Sequence, residues 1–222
     1  MAASPAVSTD SLIYVLLGPP GSGKGTQGER LAATLGIPKV ATGDVLRAAV
    51  VDGTALGREA QGFMDRGALV PDAVILGIMK DALKSPATAK GVILDGVVRT
   101  IPQAEGLNKV LAEIGKTLGA VLVFEIDDEE LVRRISGRVV CEKCQTPASG
   151  RDVGEPCAKC GGGLVRRADD EPAAVRNRLV AYKAQTAPVI DWYTKHGAKV
   201  VRVNAVGTLD EVRDRILKAL SR

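Results

Sequence analysis

Gly18-Pro-Pro-Gly21-Ser-Gly23-Lys24-Gly25-Thr26 lies between an apolar run, Leu12-Ile-Tyr-Val-Leu-Leu17, and a stretch with helical spacing over 24–35. A strand, a glycine-rich turn and a helix in that order form the context a phosphate-binding loop requires. Glycines let the backbone curl until its N–H groups converge on one point, and the helix N-terminus adds positive potential there. Gly21, Ser22, Gly23, Gly25 and Thr26 would wrap a nucleotide's phosphates, with Lys24 reaching the outer ones. The residue after the lysine is Gly25, and the hydroxyl comes one step later at Thr26. Direct ligation of Mg²⁺ by that hydroxyl is therefore less secure than in the common pattern.

Short β-like runs alternate with longer helical ones on either side of this loop, which predicts a parallel sheet wrapped by helices. Gly36-Ile37-Pro38 ends the first helix. Thr42 or Gly43 reads as the cap of the next, and Gly53 splits that region into two short helices. Asp72 reads as the cap of another helix, reaching about residue 84. Strands are expected over 92–95, 120–124 and 199–203. Pro102 suits a first helical turn, and Asp127 or Asp128 should cap the helix after the 120–124 strand. The acidic residues Asp169, Asp170 and Glu171, followed by Pro172, read as the start of a long helix, which Pro188 should kink or interrupt. Leu209, Val212, Ile216, Leu217 and Leu220 make one apolar face of a last helix.

Helical spacing stops between 138 and 166, where all four cysteines fall. Cys141-Glu-Lys-Cys144 and Cys157-Ala-Lys-Cys160 are two Cys-x-x-Cys knuckles, a spacing that can set four thiolates tetrahedrally around a structural Zn²⁺. A disulfide pair or free thiols are the alternatives. A catalytic zinc is disfavoured because four thiolates leave no open position. The stretch is too small and glycine-rich to build its own core, so the metal would hold it together.

The 222 residues are 45% hydrophobic, 3% aromatic and carry a net charge of +4. That is the balance of a soluble globular chain. Few aromatics argue against a binder that stacks single-stranded bases, and so mild a charge does not call for a nucleic-acid or membrane partner. The apolar runs are too short to span a bilayer. Residues 1–10 lack the marks of a signal or transit peptide and read as a loose tail, so a cytoplasmic location is expected.

Several further blocks carry a resemblance: Ala41-Thr-Gly-Asp-Val-Leu-Arg47, Leu94-Asp-Gly96 with Arg99-Thr-Ile-Pro-Gln103, Arg134-Ile-Ser-Gly-Arg138, Arg167-Ala-Asp-Asp170 and Val175-Arg-Asn-Arg178. In this order they resemble the adenylate kinases, from about Leu12 to the C-terminus. The resemblance implies an α/β nucleoside-monophosphate kinase fold with a five-stranded parallel sheet. It implies a core (11–40, 72–137 and 167–222), an AMP-binding flap (41–71) and a zinc-binding lid (138–166) that closes over ATP. It implies a monomer that catalyses ATP + AMP ⇌ 2 ADP with Mg²⁺. Arg47 and Arg99 would hold the AMP phosphate, with Arg138, Arg167, Arg178 and Lys24 around the transferring group. Thr42, Gly96, Gln103 and the backbone at Leu69 and Val70 would contact the AMP adenine, and Arg134 would lie flat on the ATP adenine. Asp44 and Asp95 would orient waters around Mg²⁺. Asp95 also ends an apolar strand, where a carboxylate serves little purpose unless it faces a ligand. The lone histidine, His196, is read as structural.

In one place the sequence departs from the family. Where the family has Asp-Gly-Phe-Pro-Arg or close to it, this chain has Asp95-Gly-Val97-Val98-Arg99. The proline's tight bend is gone, which predicts weaker AMP binding or an altered choice of monophosphate. A kinase for another nucleoside monophosphate is therefore the nearest alternative. More distant ones are a weakly active nucleotide sensor and a zinc-ribbon nucleic-acid binder with a P-loop motor.

Overall fold

The computed structural model describes residues 12–148, 150–167 and 170–221. The expected tail at 1–10 and Asp169 lie outside them. Strands β1 (Leu12–Leu17), β2 (Lys39–Ala41), β3 (Gly91–Asp95), β4 (Ala120–Glu125) and β8 (Val200–Asn204) form one parallel sheet in the order β2-β3-β1-β4-β8. From β1 the chain runs to the edge strand β2, returns to β3 beside β1, then crosses to β4 on the other side. Such a reversal of strand order leaves a crevice at the carboxyl ends of the strands, where α/β sheets bind ligands.

The alternation of side chains along these strands serves two buried faces. Ile13, Val15 and Leu17 of β1 pack with Val92, Leu94, Val121 and Val123 against α4 (Asp72–Lys84), α5 (Ile101–Glu113) and α8 (Ala187–Lys195). Tyr14, Leu16, Ile93, Leu122 and Phe124 face α1 (Lys24–Leu35) and α9 (Leu209–Leu220). Both faces are covered, which is why the strands read as continuous apolar runs.

Beyond β2 the chain forms α2 (Thr42–Val51) and α3 (Ala55–Asp65). The two helices approach so closely that a Cβ on Gly57 would lie 2.0 Å from the Ala49 carbonyl oxygen. Only glycine allows that contact. Thr54 caps α3, accepting a hydrogen bond from the Gly57 N–H at 3.1 Å. After β4, Asp127 caps α6 (Asp128–Ser136) as expected, through the Glu130 N–H at 2.8 Å. A second, antiparallel sheet comes next, formed by β5 (Val139–Cys141), β6 (Pro147–Ala148) and β7 (Leu164–Val165) in the order β6-β5-β7. After it come α7 (Pro172–Ala181), one π-helical turn (Tyr182–Thr186) and α8. Pro188 has no N–H to continue the ladder, and the chain meets it with the π turn before restarting as α8.

Several local expectations are corrected. Strand β2 is only three residues long and shows no alternation of its own; its pairing with β3 makes it a strand. The residue capping α2 is Ala41, with Thr42 first in the helix. The cap of α4 is Pro71, and Asp72 opens the helix with its carboxylate turned elsewhere. Leu209 does not share the buried face of α9. At the first helical position it is exposed, while Val212, Ile216 and Leu220 are buried.

Candidate active site

Every residue expected to touch a nucleotide or its magnesium lines a single cavity of about 1150 Å³ at the carboxyl ends of the strands. The phosphate loop leaves β1 with positive φ at Gly18, Gly21 and Gly23. At Gly21 and Gly23 these values, 83° and 88°, place the backbone in the left-handed region that glycine alone enters freely. Gly23 caps α1 with no side chain over the helix end. The N–H groups of the first helical turn have no partner within the helix, so the end offers donors and positive potential to an anion.

Lys24 Nζ curls back over the loop. It donates to the carbonyl oxygens of Gly18 and Pro19, both at 2.8 Å, and to Ser22 Oγ at 3.3 Å. Burial pushes this ammonium down to about 7. The Asp95 carboxylate works against that, while Arg99, Arg178 and Arg138 add repulsion. Lys24 thus shares its surroundings with three arginines and, of the carboxylates, feels Asp95 most. Asp95 ends β3 with Oδ2 about 3.5 Å from where a Cβ on Gly25 would stand. It therefore faces the phosphate loop rather than the core.

Some of these arginines are aimed by an acceptor that no local sequence signal marks, others by acids one turn away on the same helix. Asp170, only 5% exposed at its side chain, accepts from Arg138 through both oxygens and from Arg178 Nη1 at 3.2 Å. The sequence pattern assigns it to the start of α7, yet its charge holds two arginines instead. Glu130 accepts from Arg134 Nε at 2.7 Å and from Arg133. Those hydrogen bonds, from Arg133 first and then Arg134, hold its carboxyl down at about 2. Arg134 Nη2 also donates to the Ala205 carbonyl at 3.0 Å, which fixes the plane of its guanidinium. Arg47 Nη2 bonds Asp44 Oδ1, and Lys39 lies 3.8 Å from Asp44 Oδ2. Asp44 thus engages two cations here. Arg167 lines the cavity with the others.

Arg99 bears on the departure at Val97-Val98. Both valines are buried in the core, and the described residues contain no cis peptide bond. The bend is held from outside. The Arg99 N–H donates to Gln103 Oε1 at 2.7 Å, its carbonyl accepts from Thr186 Oγ1 at 2.9 Å, and its own Nε donates to the Gly96 carbonyl at 3.1 Å. Thr186 sits in the π turn, an irregularity common at functional sites. Thr42 Oγ1 donates to the same Gly96 carbonyl at 2.8 Å, tying α2 to the end of β3. Leu69 and Val70 line the wall nearby. No local sequence signal marks Thr186, because its partner stands 87 residues away.

The four cysteines converge, as their spacing predicts. One sulfur from each lies within 4.8 Å of all the others, with Cys141–Cys160 at 3.4 Å and Cys144–Cys157 at 3.7 Å. A disulfide would need about 2.05 Å. A tetrahedron of Zn–S bonds near 2.3 Å has edges of about 3.8 Å, so this set could hold a metal ion. The thiols already differ in acidity. Hydrogen bonding with the Thr146 side chain and backbone brings Cys144 down to about 6. Cys160 receives a backbone hydrogen bond from Gly162 that favours its thiolate, yet the neighbouring sulfurs of Cys141 and Cys144 push it up to about 11. His196 stacks on Trp192 at 4.0 Å, and its Nδ1 lies 2.7 Å from the Trp192 carbonyl oxygen. That is a local packing role. No described helix is long and apolar enough to cross a membrane.

The adenylate kinase family model matches residues 16–198 of this chain. An adenylate kinase of Gemmatimonas aurantiaca is 65% identical over 211 residues, covering 94% of this chain and 99% of that one. Those of Methanothrix thermoacetophila and Methanosarcina barkeri are 48% and 47% identical, each covering 94% of this chain and 98% of the relative. Phosphate loop, encircling cations and family match agree: the chain belongs to the adenylate kinase family and is a phosphotransferase.

Proposed function

We propose that this enzyme moves a phosphoryl group reversibly between ATP and AMP, with Mg²⁺ accompanying ATP and a structural Zn²⁺ in a lid at 138–166. The observation that carries the reading is the shared cavity, which collects Lys24 with Arg47, Arg99, Arg138, Arg167 and Arg178 around the phosphate loop. Phosphoryl transfer asks for in-line positioning, charge neutralisation and exclusion of water more than for covalent help. Arginine suits this role because its planar fork grips phosphate oxygens in pairs and keeps its charge.

On this reading the phosphate loop and Lys24 hold the phosphates of ATP, and Arg134 lies on its adenine. Arg47 and Arg99 grip the AMP phosphate, with Thr42, Gly96 and Gln103 at its base. Arg138, Arg167 and Arg178 surround the group in transit. Asp170 holds Arg138 and Arg178 in place until phosphate oxygens arrive to replace it. The flap (41–71) covers AMP, and the lid sheds water as it closes. Asp95 and Asp44 supply the hard oxygens that suit Mg²⁺, which usually keeps its waters and is held through carboxylates and phosphates; when bound, the ion neutralises charge between the outer phosphates. Cys141, Cys144, Cys157 and Cys160 would hold zinc with no open position, so that metal serves the fold of the lid.

A coupled assay of ADP formation from ATP with AMP, CMP, UMP or GMP tests the reading. AMP should be the preferred acceptor, and a bisubstrate mimic that links two adenosines through phosphates should bind tightly. Absence of ADP from ATP and AMP, together with failure of the mimic to bind, would overturn it.

A further inference from the structure

Gln103 is almost wholly buried at the cavity wall, and both ends of its amide are claimed. Oε1 accepts from the Arg99 N–H at 2.7 Å, and Nε2 donates to Asp72 Oδ1 at 2.7 Å. Asp72 opens α4 and stands 31 residues from Gln103. The same Oδ1 accepts from Thr100 Oγ1 at 3.0 Å, and Thr100 caps the helix that carries Gln103. A backbone N–H can only donate, and a carboxylate oxygen accepts. Turning the amide end for end would set N–H against N–H at Arg99 and oxygen against oxygen at Asp72. The amide is therefore locked in one sense. One lone pair on Oε1 and one hydrogen on Nε2 remain for a ligand.

That fixed sense matters for a purine. The edge of a 6-amino purine offers a donor at N6 and an acceptor at N1, which match Oε1 and Nε2 of Gln103. A 6-oxo purine reverses both, with an acceptor at O6 and a donor at N1, and would need the turned amide. We infer that Asp72 is a positioning residue that selects 6-amino over 6-oxo purine monophosphates by preventing Gln103 from turning over. The inference rests on the reading of the cavity as an AMP site.

The test is steady-state kinetics of the full-length enzyme with AMP and with IMP, for Asp72→Ala, Asp72→Ser and Asp72→Asn, each with a thermal melt. Removing the carboxylate should raise KM for AMP more than it lowers kcat. The ratio of kcat/KM for AMP over IMP should narrow by about tenfold, the scale of one exchanged hydrogen bond. Serine is well tolerated in a first helical turn, so D72S carries the test even where D72A folds poorly. D72N keeps a carbonyl acceptor for Nε2 and should restore most of the ratio. An unchanged ratio in D72S, with only a lower melting temperature, would mean that Asp72 merely ties α4 to α5 and would overturn the inference. Loss of all AMP turnover in the wild-type enzyme would instead strike the parent reading.

Discussion

Replacing Lys24 with methionine should raise and lower different properties of this enzyme at once. In the structure burial brings Lys24 from an ordinary value of 10.5 down to about 7. Between those two values the unfolded chain holds a proton that the native chain has released, so stability rises with pH across that window. The gap corresponds to an upper limit of about 5 kcal/mol at about 1.4 kcal/mol per pH unit. Lys24 still lines an open cavity, and solvent relieves part of that strain, so about 2 kcal/mol is the expected effect. Methionine keeps the stem and removes the charge. It also strips the Gly18 and Pro19 carbonyls of their donor, a cost that does not vary with pH. The informative quantity is therefore the difference between wild type and Lys24→Met, measured by urea unfolding from pH 6 to 10.5. Wild type should gain about 2 kcal/mol on the variant as pH rises from 7 to 10.5. Titration of cysteines and tyrosines is common to both proteins and cancels. Turnover should fall by roughly two to three orders of magnitude, as when one preorganised donor to a transition state is lost. A difference in stability that stays flat across this range would refute the claim that burial strains this lysine.

Gly57→Ala should destabilise the protein by about 1–3 kcal/mol and raise KM for AMP, because the new methyl would force α2 from α3; an unaltered urea midpoint would rule out that close approach. Cys160→Ser, or a strong chelator, should remove about one zinc per chain by metal analysis and lower the melting temperature. Purified enzyme without zinc and insensitive to chelator would exclude the metal-held lid. Val97→Phe with Val98→Pro should lower KM for AMP, while the larger ring at buried position 97 costs about 1–3 kcal/mol. An unchanged KM would show that the hydrogen bonds to Gln103 and from Thr186 already aim Arg99 as well as the family's proline does.

Some of this molecule can be read locally. The phosphate loop is one contiguous segment, and its glycines declare the backbone they require. The cysteine pairs carry their geometry in their spacing. The central strands are apolar on both faces because helices cover both, and that pattern needs no knowledge of which strand neighbours which. Other features mislead because a nearer explanation is at hand. An acid before a helical run suits the helix dipole, so the sequence pattern places Asp72 and Asp170 at helix starts. Their carboxylates in fact serve Gln103, 31 residues on, and Arg138, 32 residues back.

Residue types and short-range order thus determined which groups this chain brings to its site: a glycine-rich loop with its lysine, a set of arginines and a four-sulfur cluster. Only the tertiary structure decided how those groups are aimed. A guanidinium or an amide points where its hydrogen-bond partner holds it, and for Arg138, Arg99 and Gln103 the partners lie on other elements, brought near by the winding of strands about β1. The acceptor that orients Arg138, the hydroxyl of the π turn that holds Arg99 and the carboxylate that meets Gln103 are products of that winding.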